Sequence, residues 1–169
     1  KPNSINGFPK SIFSKQDENN KTTGYDLRIE SNSISFYVNN TKVVTRSGIT
    51  IDRWYHVAVT FDGSTYKLYY DGIEMDSKTG PSPTTNNSNF LVGALYKSGS
   101  KPVNYFNGSL DELRIWKVCL TKEQIRQMMN QEIVMNGTAV YGAIVPLQIN
   151  GLTWSNLAGY YQMNQNTPD

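Results

Sequence analysis

One cysteine and one histidine in 169 residues leave little room for several common chemistries. The lone Cys119 excludes an intrachain disulfide and a cysteine-based metal site, and it reads as a buried thiol. Charge of either sign is also scarce. Sixteen Lys and Arg against fourteen Asp and Glu give a formal net charge of +2, with no basic run. That is too weak a footprint for nucleic acid or an anionic membrane. No apolar stretch approaches ~18 residues, so no membrane insertion is expected. The opening KPNSINGFPK does not read as a signal peptide. No Ser–His–Asp spacing and no glycine-rich phosphate loop rises above chance.

What is present is short β-strand patterning, rich in tyrosine, with 11 residues of that type. Trp54 to Gly72 organises the rest. Val57, Val59 and Phe61 alternate with His56, Ala58 and Thr60, the period of a strand. Asp62-Gly63-Ser64 and Asp71-Gly72 are tight-turn chemistry on either side of the run Tyr66–Tyr70, which predicts an antiparallel meander. Before it, Tyr25–Glu30 alternates with apolar residues at odd numbers, and Ile34, Phe36 and Val38 share a face. Lys15 to Thr23 reads as a polar loop, and residues 76–89 as a long, mobile surface loop. Phe90–Ala94 and Leu110–Trp116 read as further strands, with Trp116 facing away from Leu113 and Ile115. Thr121 and Gln124 form a capping box, so a helix of two or three turns is expected, ending near Asn130. Gly137–Ile149 is a strand pair or an ordered linker, with Pro146 arguing against a central strand.

The motifs WYHVAVTFDGS at 54–64, YKLYYDG at 66–72, NFLVG at 89–93 and FNGSLDELRIW at 106–116 with LTKEQI at 120–125 resemble laminin-G-like domains. The resemblance covers residues ~11–130. It implies an all-β, concanavalin-A-like fold: an antiparallel two-sheet jelly-roll sandwich with one short helix after the last strand. The family's opening strands have no counterpart before Lys1, whereas residues 156–163 resemble such an opening strand. The expected organisation is therefore a slice of a tandem array. Residues 1–130 form a laminin-G-like domain without its opening strands. Residues 131–155 form a linker or β-rich connector. Residues 156–169 form the opening strand of a following repeat, or a strand filling the vacant position in this chain or a neighbouring copy.

Glycan-cleaving relatives carry alternate acids on one strand, placing the carboxylates on one face. Asp111 and Glu112 are adjacent and point to opposite faces. The polar side of Asp26, Arg28 and Glu30 reads as a solvated face, and His56 as a packed core residue. An enzyme is therefore not expected. The resemblance further implies Ca²⁺ bound through loop oxygens. Asp111, Glu112 and Asp62 are the candidates, with Asp71 beside them. Ordinary Asp-Gly turn chemistry competes at Asp62 and Asp71, and a structural pairing with Arg114 competes at Glu112. For a glycan ligand the candidates are Tyr96, Tyr105, Asn86 and Asn89. The expected function is adhesion or carbohydrate binding in a secreted or cell-surface protein, of bacterial style from its Asn/Thr/Ser-rich, cysteine-poor composition. Partners would be a glycan or cell-surface ligand and neighbouring repeats. The competing expectations are a structural spacer or filament subunit joined by strand exchange, and a glycan-targeting module attached to an enzyme.

Overall fold

Alternating apolar residues build the first sheet of the computed structural model, which describes residues 1–164. Strands β1 (Lys10–Asp17), β2 (Asn20–Glu30), β3 (Ser33–Val38) and β4 (Thr41–Ser47) form a meander. The short β8 (Leu91–Val92) adds beside β1, giving the order β4-β3-β2-β1-β8. Asn39 and Asn40 turn the β3–β4 corner, both with positive φ, as a two-residue hairpin requires. The expected meander is present as β5 (Val57–Phe61), β6 (Thr65–Tyr70) and β7 (Ile73–Thr79). Its Asp71-Gly72 turn has φ of 49° and 72°. A Cβ on Gly72 would come within 2.8 Å of Arg126 and 2.9 Å of Met129, so only glycine lets this turn seat against the helix.

The two layers pack through Leu27, Ile29, Ile34 and Phe36 of the first sheet and Tyr66 and Leu68 of β6, all buried. β7 lies against β4, with Asp76 accepting the Thr45 amide at 2.8 Å. At the other end of the sandwich, β9 (Leu113–Trp116) pairs with β13 (Leu157–Tyr161), and Tyr161 stacks on Phe90 beside β8. The second layer thus runs β7-β6-β5, then β9-β13, without hydrogen bonding between β5 and β9. Asp71 N–H donates to His56 at 2.8 Å and Asp62 N–H to Thr65 at 3.3 Å. Even-numbered residues of β5 therefore bond to β6, and the backbone groups of Val57, Val59 and Phe61 point towards the gap.

Under that gap is a cleft of about 870 Å³, lined by Leu27, Ile29, Val57, Val59, Leu113 and Ile115 among others. The cleft opens to solvent, so water can enter it.

Helix α1 (Lys122–Met128) starts at Thr121, with both halves of the capping box in place. A small sheet follows, β10 (Ile133–Asn136), β11 (Ala139–Gly142) and β12 (Gln148–Thr153). Met128, Ile133, Val140, Ile149 and Leu152 form its own core, against which Trp116 and Tyr160 pack. Tyr160 also locks β13 down: its hydroxyl donates to Glu112 at 2.8 Å and accepts the Ile133 amide at 3.2 Å.

Several local expectations are corrected. Lys15–Thr23 is not a loop. The β1–β2 ladder runs through it to Asp17 and Asn20, and the buried Gln16 amide donates to the Lys21 carbonyl at 2.8 Å. β7 continues to Thr79, and the loop after it is pinned. Gly24 N–H donates to the Thr84 carbonyl at 3.0 Å, the Tyr66 hydroxyl to Pro81 at 2.7 Å and the Asn86 amide to Lys15 at 3.0 Å. Leu110–Glu112 lies outside β9, and Glu112 takes a φ of 53°. Cys119 is exposed rather than buried.

Candidate functional site

The outer face of the first sheet is polar, yet much of it is shielded from water. Asp26, Arg28 and Glu30 of β2 point away from Leu27 and Ile29 because successive side chains alternate. A bulge at Ser11/Phe13 inserts one extra residue into β1, so Ser11 faces Arg28 and Ser14 faces Asp26 on the same side. Across the other edge, Asp26 is opposite Tyr37 and Arg28 opposite Ser35. Ser11, Ser14, Asp26 and Ser35 have no exposed surface. The reading of this face as simply solvated is therefore wrong.

Arg28 ties the row together. Its guanidinium donates to Asp26 at 3.4 Å and to Glu30 at 3.2 Å, and lies 3.6 Å over the Tyr37 ring. Glu30 also accepts from the Tyr37 hydroxyl at 2.9 Å and from Lys42. Burial pushes the Asp26 carboxyl up to about 6, with the Ser11 hydroxyl and Arg28 offsetting only part of it. Burial alone would raise Glu30 too, but the hydrogen bonds from Lys42 and Tyr37 outweigh it and bring it down to about 2. Among the described residues, Ser11 Oγ and Asp26 Oδ1 each lack a well-aligned hydrogen-bond partner, although the two groups lie near one another.

At the Lys10 end of β1, residues 6–10 and 102–105 border an open recess of about 590 Å³. Ser11 N–H donates to the Asn104 carbonyl at 2.8 Å, which fixes this loop to the strand. Lys10 donates to the Asn6 carbonyl and, at 3.3 Å, to that of Phe8, holding the other wall. Phe8 is 87% exposed and Tyr105 59% exposed. Two large rings left this open beside a polar sheet are chemistry suited to the C–H face of a sugar, with hydroxyl partners nearby.

Of the glycan candidates, Tyr105 alone lies in this recess. Tyr96 is half-buried towards the far end of β1, bridged to Asp17, its carbonyl accepting the Glu18 amide at 2.8 Å. Asn86 spends its side chain internally, on the Lys15 carbonyl and, at 3.0 Å, the Ser88 amide. Asn89 is exposed just before β8. The four do not form one site. Phe8 was missed because a phenylalanine between Gly7 and Pro9 carries no periodicity that would mark it as exposed.

The calcium candidates are each engaged in local contacts. Asp62 caps its own turn, accepting from the Ser64 and Thr65 amides at 2.9 and 2.8 Å. Asp111 accepts the Glu112 amide at 3.0 Å, and Glu112 pairs with Arg114 and Tyr160. Asp71 accepts the His56 amide at 2.8 Å and pairs with Arg53. Among the described residues, no three His, Cys, Asp or Glu side chains group closely enough to hold a metal ion. His56 borders the cleft, and burial, then the charge of Arg114, lowers its pKa to about 4.

The comparisons with known proteins agree with the sandwich. A laminin-G family model, described as the concanavalin A-like lectin/glucanases superfamily, matches residues 1–126. The "Sushi, von Willebrand factor type A, EGF and pentraxin domain-containing protein 1" of Rattus norvegicus is 28% identical over 120 residues, which is 66% of this chain. The chain spans about 3% of that rat protein's length. Among solved structures, a "putative carbohydrate binding protein" from Bacteroides ovatus ATCC 8483 shares the fold, with a TM-score of 0.56 and 21% identity. That match covers 83% of this chain and 46% of the other. An S-layer domain-containing protein from Clostridium thermocellum ATCC 27405 (residues 221–444) matches with a TM-score of 0.43 and 26% identity, over 77% of this chain and 66% of the other. With its antiparallel sandwich and a family match over well more than half its length, the chain belongs to the laminin-G-type members of the concanavalin A-like lectin/glucanases superfamily.

Proposed function

We propose that this chain is a non-catalytic carbohydrate-binding module of a secreted or cell-surface protein, with the glycan held in the recess between Phe8 and Tyr105. The carrying observation is the pair of exposed rings, 87% and 59% open, on one recess. Rings of that size normally go to the core or to an interface.

The superfamily's description joins lectins with glucanases, and the side chains favour the first. A glycosidase needs two carboxyl groups that reach the scissile bond from opposite sides. Asp26 has the raised pKa suited to a general acid, but its side chain has no exposed surface. Glu30 is held by Arg28, Tyr37 and Lys42. Neither is free to reach a glycosidic oxygen.

A thermal-shift titration against a glycan panel tests the reading, because a ligand that prefers the native state raises the midpoint with concentration. A concentration-dependent rise with one glycan class, lost in Tyr105→Ala, supports it. A midpoint unmoved by every glycan sinks it.

A further inference from the structure

Charge is spread unevenly along the chain. Residues 1–16 and 77–110 hold six lysines (Lys1, Lys10, Lys15, Lys78, Lys97 and Lys101) and no Asp, Glu or Arg. The rest of the chain, with ten Lys and Arg against fourteen Asp and Glu, carries −4. The fold brings the two lysine-only segments together along one flank. β8 pairs with β1, the Gly93 amide donates to the Ile12 carbonyl at 2.8 Å, and the Lys15 ammonium donates to the Ser88 carbonyl at 2.8 Å. The Phe8–Tyr105 recess lies on this flank and takes one wall from each segment, residues 6–10 and 102–105. Lys10 belongs to the first wall and spends two of its three donors on the Asn6 and Phe8 carbonyls. Lys101 is exposed and directly precedes the second wall. Glu30, the carboxylate that adjoins this end of β1, is already matched by Arg28, Lys42 and Tyr37. Asp17 closes the opposite end of the strand, where it accepts the Asn19 and Ser98 amides at 2.9 and 3.1 Å.

We infer that the saccharide taken by the recess is anionic, a sugar bearing a carboxylate or a sulfate ester; the inference rests on the glycan reading above. The acidic group of such a sugar leaves the ring at its edge. The C–H face can therefore lie on Phe8 or Tyr105 while the charge points towards the walls that carry Lys10 and Lys101. A lysine ammonium is a strongly hydrated point charge on a flexible stem, which suits an acid that stays partly in water. The arginine fork suits planar, desolvated pairs, and these two segments hold no arginine. A flank of one sign also draws an acidic saccharide in before contact.

Isothermal titration of the full 169-residue chain tests it, with matched oligosaccharides of glucose, galactose and mannose. Each is offered neutral, as the 6-carboxylate and as the 6-sulfate, and the last two arms separate the sources of charge. Two exposed ion pairs at about threefold each should make an acidic form about tenfold tighter than its neutral counterpart. Raising the salt from ~0.05 to ~0.5 M should remove most of that advantage. Lys101→Gln should weaken the acidic form about threefold and leave the neutral one unchanged. Tyr105→Ala should weaken both. Three results would overturn the inference. Equal binding of neutral and acidic forms, weakened by Tyr105→Ala, sinks the charge preference and leaves the glycan reading standing. Acidic binding that neither Lys101→Gln nor Tyr105→Ala alters places the anion outside the recess. No binding by any form, neutral or acidic, sinks the glycan reading and this inference with it.

Discussion

Asp26→Asn should make the protein more stable at neutral pH and should expose a pH dependence that the native chain conceals. Asp26 carries a folded-state pKa of about 6 against 3.8, so the folded state binds its proton more tightly. The associated stability is fully present below pH ~3.8 and is lost as pH rises through ~6. About two pKa units at 1.36 kcal/mol each amount to roughly 3 kcal/mol. His56 works in the opposite sense. Its pKa falls from 6.5 to about 4, so its contribution is present above pH ~6.5 and is lost as pH falls through ~4. About two and a half units again come to roughly 3 kcal/mol. Between pH 4 and 6 the two slopes oppose each other, and these two groups together leave the native chain nearly flat. Asparagine keeps the shape and an acceptor for Arg28 but carries no charge. With the Asp26 slope removed, stability should rise by roughly 3 kcal/mol from pH 4 to pH 6.5, chiefly through His56, with a smaller rise in the same sense from Glu30 at the acid end. At pH 7 the variant should exceed the native chain by ~1–3 kcal/mol, the lower end allowing for the lost ion pair with Arg28. Urea unfolding followed by tryptophan fluorescence at pH 4, 5, 6 and 7 reads both quantities. A variant less stable than the native chain at pH 7, or one flat between pH 4 and 6.5, would refute the assignment of Asp26 as a buried, strained carboxyl.

Three further outcomes follow from single contacts. Tyr160→Phe removes the donor to Glu112 and leaves the Ile133 amide without its acceptor; it should cost about 2 kcal/mol in urea unfolding and speed hydrogen exchange in β13 first. Gly24→Ala places a methyl 1.9 Å from the Lys15 carbonyl oxygen at a φ of 85°, and should cost at least ~2 kcal/mol, read as a fall in Tm. Thr121→Ala removes the acceptor for the Gln124 amide and should cost about 1 kcal/mol, while Thr121→Ser restores most of it.

Local chemistry made much of the fold legible. Asp71-Gly72 can hardly be anything but a turn with two positive φ values, and Thr121 with Gln124 announces α1 three residues ahead. The odd-numbered apolar residues of Tyr25–Glu30 specify which side of β2 is core. What alternation could not convey is how closely the opposite side is covered. Asp26 loses its water because the β1 bulge brings Ser14 opposite it and Arg28 folds over Tyr37, and both depend on pairing between strands. The polar run Lys15–Thr23 looked like a loop for a related reason: the hairpin there is held by main-chain bonds and by Gln16, not by an apolar face. The strand pair read in Gly137–Ile149 is present as β11 and β12, but β10 was not legible, because Ile133, Val140, Ile149 and Leu152 are a core only once α1 and β9 lie beside them. The recess was half legible. Tyr105 is a tyrosine in a polar loop, a natural ligand candidate, whereas nothing adjacent to Phe8 distinguishes an exposed ring from a buried one.

The central claim is that two exposed rings at one end of β1 hold a sugar. Isothermal titration of the native chain and of the Phe8→Ala and Tyr105→Ala variants, with the glycan that raises the native midpoint most, tests it directly. Each ring contributes ~1–1.5 kcal/mol of stacking, so each variant should bind about tenfold more weakly while its Tm stays within a degree or two of native. Unchanged affinity in both variants would place the sugar elsewhere and contradict the account.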